Sequence, residues 1–249
     1  MTSSSSTGRA PRHIVVGLWM ACLTLGCTAA VTRPGGAANP TPATTADARF
    51  AATPGSRHDF ADVEHWRRVF DDPARDAWQK PRELVAALAL RPGMWVADLG
   101  AGTGYFSRYL DAAVGPMGVV FAVDTEPNLV DHLRTRAEQE KTTVIPVLAS
   151  FSDARLPPRA LDLVLIVDTY HHLDDRLTYL QRLGRALKPD GRIAIVDWQQ
   201  RELPIGPPLE HKLAREQVIE EMQAAGYALA TEPTILSYQY VLIFERAAH

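Results

Sequence analysis

The chain has 249 residues, of which 46% are hydrophobic and 22% charged, a composition typical of a globular protein with one sizeable core. Its 26 Lys and Arg residues nearly balance 29 Asp and Glu residues, for a net charge of −3, which argues against a protein that mainly grips a nucleic acid backbone. Both Cys residues lie within the first 27 residues. The rest of the chain therefore cannot hold a disulfide framework, a Cys-based zinc site or a cysteine nucleophile.

Residues 1–27 have the pattern of a targeting leader. Arg9 and Arg12 form a positive segment, and the uncharged run that follows has the length of a signal-peptide core rather than of a membrane span. Gly26-Cys27 is similar to the end of a bacterial lipoprotein processing box, whose Cys is lipidated after cleavage. Cleavage a few residues later by an ordinary signal peptidase, or a start codon further along, are the alternatives. The leader predicts a protein of the bacterial cell envelope, secreted or anchored to the membrane through its N-terminus, and without the leader a cytoplasmic one.

Residues 28–56 are rich in Ala, Thr and Pro and have no apolar periodicity, which predicts a disordered linker. The folded domain is then expected over residues 57–249. In its first part, Asp71–Pro73 and Trp78–Lys80 have two interpretations. This stretch either covers a ligand site from the N-terminal side or is a turn between helices with Trp78 in the core.

From residue 57 onward, short apolar runs alternate with amphipathic stretches, as in an α/β protein with a parallel sheet. The predicted strands are residues 94–99, 119–123, 143–148, 161–167 and 192–196. The predicted helices are residues 81–90, 103–113, 127–140, 175–187 and 214–225, after a first helix with Phe60, Val63, Trp66 and Phe70 on one face. Residues 188–191 are predicted to form a turn. The last two runs, residues 228–231 and 238–245, predict an antiparallel hairpin that completes a single doubly wound Rossmann-like domain.

A glycine-rich turn is expected between the first strand of this sheet and the next helix. Gly100, Gly102 and Gly104 follow the strand, and Asp98 lies two residues before the first of them. Dinucleotide sites favour the spacing Gly-x-Gly-x-x-Gly, whereas here it is Gly-x-Gly-x-Gly. A carboxylate at this position would oppose a pyrophosphate, but it suits a cationic ligand such as the amino and sulfonium groups of S-adenosylmethionine.

Asp124 ends the second predicted strand, twenty residues after Gly104. A carboxylate at that position can accept two hydrogen bonds from a ribose diol. Both cofactor classes carry this ribose, so Asp124 alone does not separate them. The glycine spacing together with Asp98 favours the methyl donor over a nicotinamide or flavin.

At this point the sequence resembles the class I S-adenosylmethionine-dependent methyltransferases, and among them the small-molecule branch akin to the quinone-ring methyltransferases. The resemblance rests on ADLGAGTGYFS with AVDTEP downstream, and is supported by LDLVLIVDTYHHLDD and LGRALKPDGRIAIVD. It implies a seven-stranded sheet of order 3-2-1-4-5-7-6 with the seventh strand antiparallel. It further implies that Asp98 and the three glycines line the methionine portion of the cofactor and that Asp124 holds the ribose. Asp153 is the candidate for the adenine amino group.

Asp168, His171 and His172 follow the fourth predicted strand at its carboxyl end, where α/β folds place their ligands. By resemblance, Asp168 faces the methyl donor. Either histidine is a candidate general base, since a neutral imidazole can accept a hydroxyl proton. The structural alternative is that one histidine packs against the next helix and the other caps it. A metal site with Asp174 and Asp175 is disfavoured, because adjacent side chains point apart.

The sequence therefore predicts an enzyme that transfers a methyl group from S-adenosylmethionine to a small-molecule acceptor. Tyr105, Phe106 and Tyr170 either offer this acceptor a flat apolar surface or belong to the core. Nucleic acid is disfavoured as the acceptor, because Asp168-Thr169-Tyr170-His171 replaces the Asn/Asp-Pro-Pro-Tyr/Phe stretch of that branch. The alternative function is an envelope-tethered, non-catalytic protein that binds S-adenosylmethionine or S-adenosylhomocysteine, since the leader points away from the cytoplasm, where the cofactor is made. A nicotinamide oxidoreductase is disfavoured by the glycine spacing.

Overall fold

A computed structural model describes residues 62–248 of the chain. The predicted leader (1–27), the predicted linker (28–56) and the first five residues of the predicted domain lie outside the described residues. Within residues 62–248, no helix has the length and apolar character needed to cross a membrane.

Helices and strands follow one another along most of the described chain. The helices are α1 (Val63–Phe70), α2 (Arg75–Gln79), α3 (Pro81–Ala87), α4 (Ser107–Val114), α5 (Pro127–Glu140), α6 (Arg176–Leu183) and α7 (Arg215–Ala224). The strands are β1 (Trp95–Leu99), β2 (Val119–Asp124), β3 (Val144–Leu148), β4 (Leu161–Val167), β5 (Leu187–Trp198), β6 (Tyr227–Thr231) and β7 (Gln239–Arg246).

The strands form one seven-stranded sheet in the order β3-β2-β1-β4-β5-β7-β6, as the resemblance implies. Strands β1 to β5 pair in parallel, whereas β7 is antiparallel to both β5 and β6. From β1 the chain proceeds outward to β2 and β3, and it then returns to place β4 on the other side of β1. This reversal opens a crevice at the carboxyl ends of β1 and β4, which is where sheets of this kind bind ligands.

Both faces of the sheet are covered, so its central strands are continuous apolar runs rather than alternating ones. In β1, Val96 packs in a cluster with α3 and α4, while Ala97 packs in a second cluster with α6 and α7. Four consecutive residues of β4, from Leu163 to Ile166, are completely buried. The rigid centre of the sheet thus lies directly beneath the crevice.

The structure differs from the sequence predictions at several elements; α6, for example, ends at Leu183 rather than at residue 187. Helix α4 begins at Ser107 rather than at residue 103, because the glycines before it have positive φ angles that a right-handed helix excludes. The predicted turn at residues 188–191 is wrong, since these residues belong to β5 and bulge where its partner shifts from Leu187 to Arg192. The five-residue helix α2 was not predicted, and α3 ends at Ala87.

Candidate active site

Acidic residues lie at the carboxyl ends of four neighbouring strands. Asp98 is the penultimate residue of β1, Asp124 ends β2, Asp168 follows β4, and Asp197 is the penultimate residue of β5. Because these strands are parallel, all four carboxylates lie at one edge of the sheet. Three of them were predicted as site residues and the fourth, Asp197, was not.

The glycine turn packs too closely for side chains at two of its positions. Gly100, Gly102 and Gly104 have φ angles of +75°, +58° and +88°, which residues with a Cβ rarely adopt. A Cβ on Gly100 would lie 2.1 Å from the hydroxyl oxygen of Thr169, and one on Gly104 would lie 2.8 Å from a methyl carbon of Leu133. Both positions therefore require glycine, because the turn packs closely against Thr169 and Leu133.

Asp98 lies beneath this turn and is only 3% exposed. It accepts a hydrogen bond of 2.7 Å from the hydroxyl of Ser107, at the start of α4. Burial raises the pKa of Asp98 to about 6, although the Ser107 hydrogen bond opposes the shift. A buried carboxylate of this kind is stabilised by a cation, so its chemistry fits the amino or sulfonium group of a methyl donor.

Asp124 faces the glycine turn from the end of β2. Its carboxylate accepts the backbone N–H of Gly102 at 2.8 Å and that of Glu126 at 3.0 Å. Burial raises the pKa of Asp124, and these two N–H groups oppose the shift. Each oxygen of an ionised carboxylate offers two lone pairs, so Asp124 retains acceptor capacity for a ribose diol.

His171 and Asp197 form a buried pair between the ends of β4 and β5. The Nδ1 atom of His171 lies 2.8 Å and 3.0 Å from the two carboxylate oxygens of Asp197, which is completely buried. The same carboxylate accepts the backbone N–H groups of His171 and Trp198. Nδ1 of the neutral imidazole therefore carries the proton, and Nε2 is left as the acceptor. Burial lowers the pKa of His171, but Asp197 outweighs burial, and the net pKa is raised.

His172, the second predicted base, is exposed, with its ring centroid 4.1 Å from that of His171. The two adjacent histidines thus have different surroundings. His171 is held by a buried carboxylate, which is the arrangement of a general base. Asp197 completes the pair, and the sequence carried a signal for it in the run Ile193–Asp197, which ends on an acid as the other strands do.

Residues 62–80, hereafter the strap, contain helices α1 and α2 and lie over the glycine turn. Asp71 accepts a hydrogen bond of 2.9 Å from the hydroxyl of Thr103, and Arg136 of α5 donates to both Asp71 and the Thr103 carbonyl. Asp76 accepts a hydrogen bond of 2.5 Å from the hydroxyl of Tyr105. The strap therefore covers the turn, and its covering of a bound ligand there stays a prediction.

The other interpretation of this stretch is wrong for Trp78, which lies in helix α2 rather than in a turn and is not part of the core. Its ring packs against that of Trp198 at the end of β5, with ring centroids 5.3 Å apart, and it is half-buried. The next residue, Gln79, is fully buried and donates a hydrogen bond of 2.7 Å to Gln239 of β7. The strap is thus held over the turn and is also joined to β7 through the buried Gln79.

Asp168 lies where the strap meets the sheet. Its carboxylate accepts a 2.5 Å hydrogen bond from the amide of Gln239, and it lies 3.5 Å from the guanidinium of Arg75. Burial raises the pKa of Asp168 to about 7, with Arg75 opposing the shift. Sequence reasoning missed Arg75, because the element that carries it, α2, is too short to produce a periodic signal.

Asp153 lies apart from these contacts. It is exposed, and its side chain accepts the backbone N–H of Arg155 at 2.8 Å, within its own loop. This loop and α6 enclose a groove of about 500 Å³ that includes Tyr179 and Arg182. The hydrogen bonds described for Asp153 do not reach the glycine turn, and its contact with adenine stays a prediction.

The comparisons with known proteins agree with this geometry. Residues 97–195 match the family model of a methyltransferase domain. The chain is 31% identical over 147 residues to the demethylmenaquinone methyltransferase of Lactococcus lactis, a match that covers 58% of this chain and 57% of that protein. It is 24% identical over 123 residues to the ubiquinone/menaquinone biosynthesis C-methyltransferase UbiE of Bordetella parapertussis, covering 49% of this chain and 48% of that protein. The chain thus spans about half the length of these curated relatives.

Among solved structures, a SAM dependent methyltransferase from Aquifex aeolicus superposes with a TM-score of 0.71 and 26% identity, over 77% of this chain and 100% of that one. The sheet order, the glycine turn and these matches are those of the class I S-adenosylmethionine-dependent methyltransferases, whose domain model the chain matches over residues 97–195. Its similarity to the quinone C-methyltransferases is distant. S-adenosylmethionine is the methyl donor of the class.

Proposed function

We propose that this protein transfers a methyl group from S-adenosylmethionine to a small-molecule acceptor. One observation carries the proposal, namely that the two acids beside the glycine turn and the His171–Asp197 pair lie at the same edge of one sheet. Donor and acceptor bound at that edge would be neighbours, and their alignment supplies much of the acceleration of a displacement reaction.

The residues beside the turn fit the cofactor by their chemistry. Asp98 would face the cationic end of the donor, Asp124 would accept from the ribose hydroxyls, and Asp153 is proposed for the adenine amino group. When bound, S-adenosylmethionine supplies a methyl group that its positively charged sulfur makes electrophilic.

His171 is proposed to take the proton of an acceptor hydroxyl as methyl transfer proceeds, whether the methyl group goes to that oxygen or to a ring carbon that the oxygen activates. The proton would move to Nε2, since Nδ1 already donates to Asp197. The carboxylate of Asp197 would then stabilise the imidazolium that forms. This role requires the neutral imidazole, so activity should rise with pH through the raised pKa of His171.

The acceptor is proposed from the relatives rather than from a pocket of aromatic residues. Tyr105, Phe106 and Tyr170 are all buried, so they belong to the core and do not offer the acceptor an open face. The relatives are named as methyltransferases of quinones, one of them as a C-methyltransferase, so quinone-type rings are the first acceptors to test.

The test measures formation of S-adenosylhomocysteine by the full chain with a panel of quinols and phenols. His171→Gln should lower kcat about 100-fold or more without changing cofactor affinity, since general bases contribute roughly that much. His172→Gln is the matched control and should retain most of the activity. Cofactor binding without turnover on any acceptor would instead favour the envelope-tethered, non-catalytic alternative.

We also propose, from the leader alone, that the protein is exported to the cell envelope and anchored there through a lipid on Cys27. Fractionation of cells that express the full chain tests this proposal. The wild type should partition with membranes, and Cys27→Ala should move to a soluble fraction. Equal recovery of both forms in the cytoplasm would contradict export.

A further inference from the structure

The groove between α6 and the loop that joins β3 to β4 is rich in arginine. The loop forms one wall, and the second half of α6 with the residues that follow it forms the other. The groove has a volume of about 500 Å³. Among the described residues that line it, the charged ones are three arginines and one acid, namely Arg155, Arg182, Arg185 and Asp153. The proposed methyl transfer uses none of these arginines.

The groove leads away from the edge of the sheet that carries His171. Helix α6 follows the carboxyl end of β4 and returns the chain to the amino end of β5, because these two strands are parallel. Arg182 and Arg185 lie at the end of this return, and Pro158, on the other wall, lies just before β4 begins. The arginine-rich end of the groove is therefore separate from the proposed site of methyl transfer.

The three arginines are not paired with acids. Within residues 62–248, none of them forms an ion pair. The side chain of Arg155 donates to the carbonyl of Leu148 at 3.3 Å, and that of Arg182 donates to the carbonyl of Ser152 at 3.0 Å. By contrast, α7 takes part in two ion pairs between arginine and glutamate. The positive charge of the groove is thus not neutralised by ion pairs.

The single acid of the groove leaves it strongly positive. Three guanidinium groups against the carboxylate of Asp153 give the lining residues a net charge of +2. That carboxylate already accepts the backbone N–H of Arg155 at 2.8 Å. Tyr179 also lines the groove, and burial raises the pKa of its hydroxyl to about 12, so the hydroxyl stays protonated and can donate a hydrogen bond. The groove therefore offers several donors to an anion.

Arg155 has a backbone conformation that is uncommon for a residue other than glycine. Its φ angle is +53°. Ser150 and Asp153 exchange two backbone hydrogen bonds, of 3.0 Å and 3.3 Å, which close the loop just before it. Such conformations persist where the surroundings fix them, frequently at ligand sites. The loop thus holds Arg155 in one backbone conformation on the wall of the groove.

We propose that this groove binds the phosphate group of a ligand that the methyl transfer does not use. Guanidinium groups bind phosphate oxygens through paired, charge-assisted hydrogen bonds, and a net charge of +2 matches a phosphate dianion. The phosphate belongs either to a soluble phosphate ester or to the headgroup of an anionic lipid. Leu148 and Phe151, beside the groove, are 40% and 54% exposed, which makes a lipid surface one source to test. The inference does not depend on the cofactor.

The test measures binding of inorganic phosphate and of lipid vesicles by the full chain. Calorimetric titration follows inorganic phosphate. Cosedimentation compares vesicles of phosphatidylcholine with vesicles that also contain phosphatidylglycerol. The double variant Arg182→Gln, Arg185→Gln should weaken phosphate binding about tenfold or more, because it removes two of the three cations. Both side chains are exposed, so the variant should fold and should bind S-adenosylhomocysteine as the wild type does.

The double variant Arg91→Gln, Arg134→Gln is the matched control, since both arginines are exposed, lie outside the groove and carry the same total charge. It should bind phosphate and vesicles as the wild type does.

The two arms of the test distinguish the sources of the phosphate. If the groove variant loses a preference for phosphatidylglycerol, the ligand is a lipid headgroup. If it loses only affinity for inorganic phosphate, the ligand is a soluble phosphate ester, and either result supports the site. Equal effects of the groove and control variants would overturn the inference, as would a wild type that bound neither phosphate nor phosphatidylglycerol vesicles. A wild type that failed to bind S-adenosylhomocysteine would contradict only the proposed function.

Discussion

The ring of His171 is held by a single carboxylate, and its protonation follows from that contact. Asp197→Asn removes the negative charge while keeping the shape of the side chain. Burial lowers the pKa of His171, and the charge of Asp197 that opposes this effect would be lost. We therefore expect the pKa of His171 to fall below its wild-type value. Titration of the histidine ring signals by NMR measures the change, with His171→Gln identifying the signal.

The same pair predicts a dependence of stability on pH. A histidine whose pKa is raised on folding stabilises the protein below its unfolded pKa, and this contribution is lost as the pH rises through the folded value. Asp197→Asn should therefore destabilise the protein more at pH 6 than at pH 9. A loss of stability that is equal at both values would show that the pair is held by its backbone hydrogen bonds alone.

Asp98 gives a pH dependence of the same sign, because burial raises the pKa of this acid from 3.8 to about 6. Folding then favours the protonated carboxyl, so this residue lowers stability as the pH rises from about 4 through 6. Without ligand, Asp98→Asn should be more stable than the wild type at pH 8, by on the order of 3 kcal/mol at most. The gain should vanish near pH 4 in thermal unfolding, and the variant should bind the cofactor more weakly.

Asp131→Asn is the control for this prediction, since Asp131 is an exposed carboxyl on α5. Its stability should follow that of the wild type across the same pH range. A destabilised Asp98→Asn at pH 8 would mean that the buried carboxylate is already well compensated without a cationic ligand.

At the residue scale, the sequence predicted the acidic site residues that lie at the carboxyl end of a strand or directly after it. Asp98, Asp124 and Asp168 could be located because an apolar run followed by an acid marks the carboxyl end of a parallel strand. Arg75 and Gln79 could not, because their importance comes from contacts far along the chain. Gln79 and Gln239 are 160 positions apart, and no local pattern connects them.

Among the elements, the glycine turn is the one most sensitive to a single added carbon. Gly100→Ala should lower the free energy of unfolding by about 2 kcal/mol or more, because it adds a close contact with Thr169 to an unfavourable φ angle. Urea unfolding measures the change. It should also weaken cofactor binding, since the turn would have to shift.

Gly93→Ala is the matched control for that change. Gly93 has a φ of +86°, but a Cβ there would meet no atom within 4 Å. It should lose only the cost of the backbone conformation, about 1 kcal/mol. If the two substitutions were equally costly, close packing against Thr169 would not explain why the turn needs glycine.

At the element scale, long periodic segments were predicted well and short ones poorly. Strand β4 and helix α5 have the predicted bounds, because each has a clear apolar pattern between polar flanks. Strand β5 is longer than predicted, since the bulge at residues 188–191 contains Pro and Gly, the usual signals of a turn. Helix α2 has only five residues and gives no periodic signal.

At the scale of the whole molecule, the parallel sheet collects residues that are far apart in sequence at one edge. Its order could be anticipated only through the resemblance, since apolar runs alone do not specify which strands are neighbours. The antiparallel β7 brings Gln239 to the same edge, next to the end of β5. The site is therefore a product of topology, with five of the seven strands (β1, β2, β4, β5 and β7) contributing one or two polar groups each.

The central claim is that this edge binds S-adenosylmethionine through the acids beside the glycine turn. Calorimetric titration of the full chain with S-adenosylmethionine and S-adenosylhomocysteine tests it most directly, with Asp124→Asn measured alongside. We predict micromolar binding of both ligands by the wild type and at least a tenfold loss in the variant, since the ribose would lose a charged acceptor. A folded wild-type protein that bound neither ligand would contradict the account.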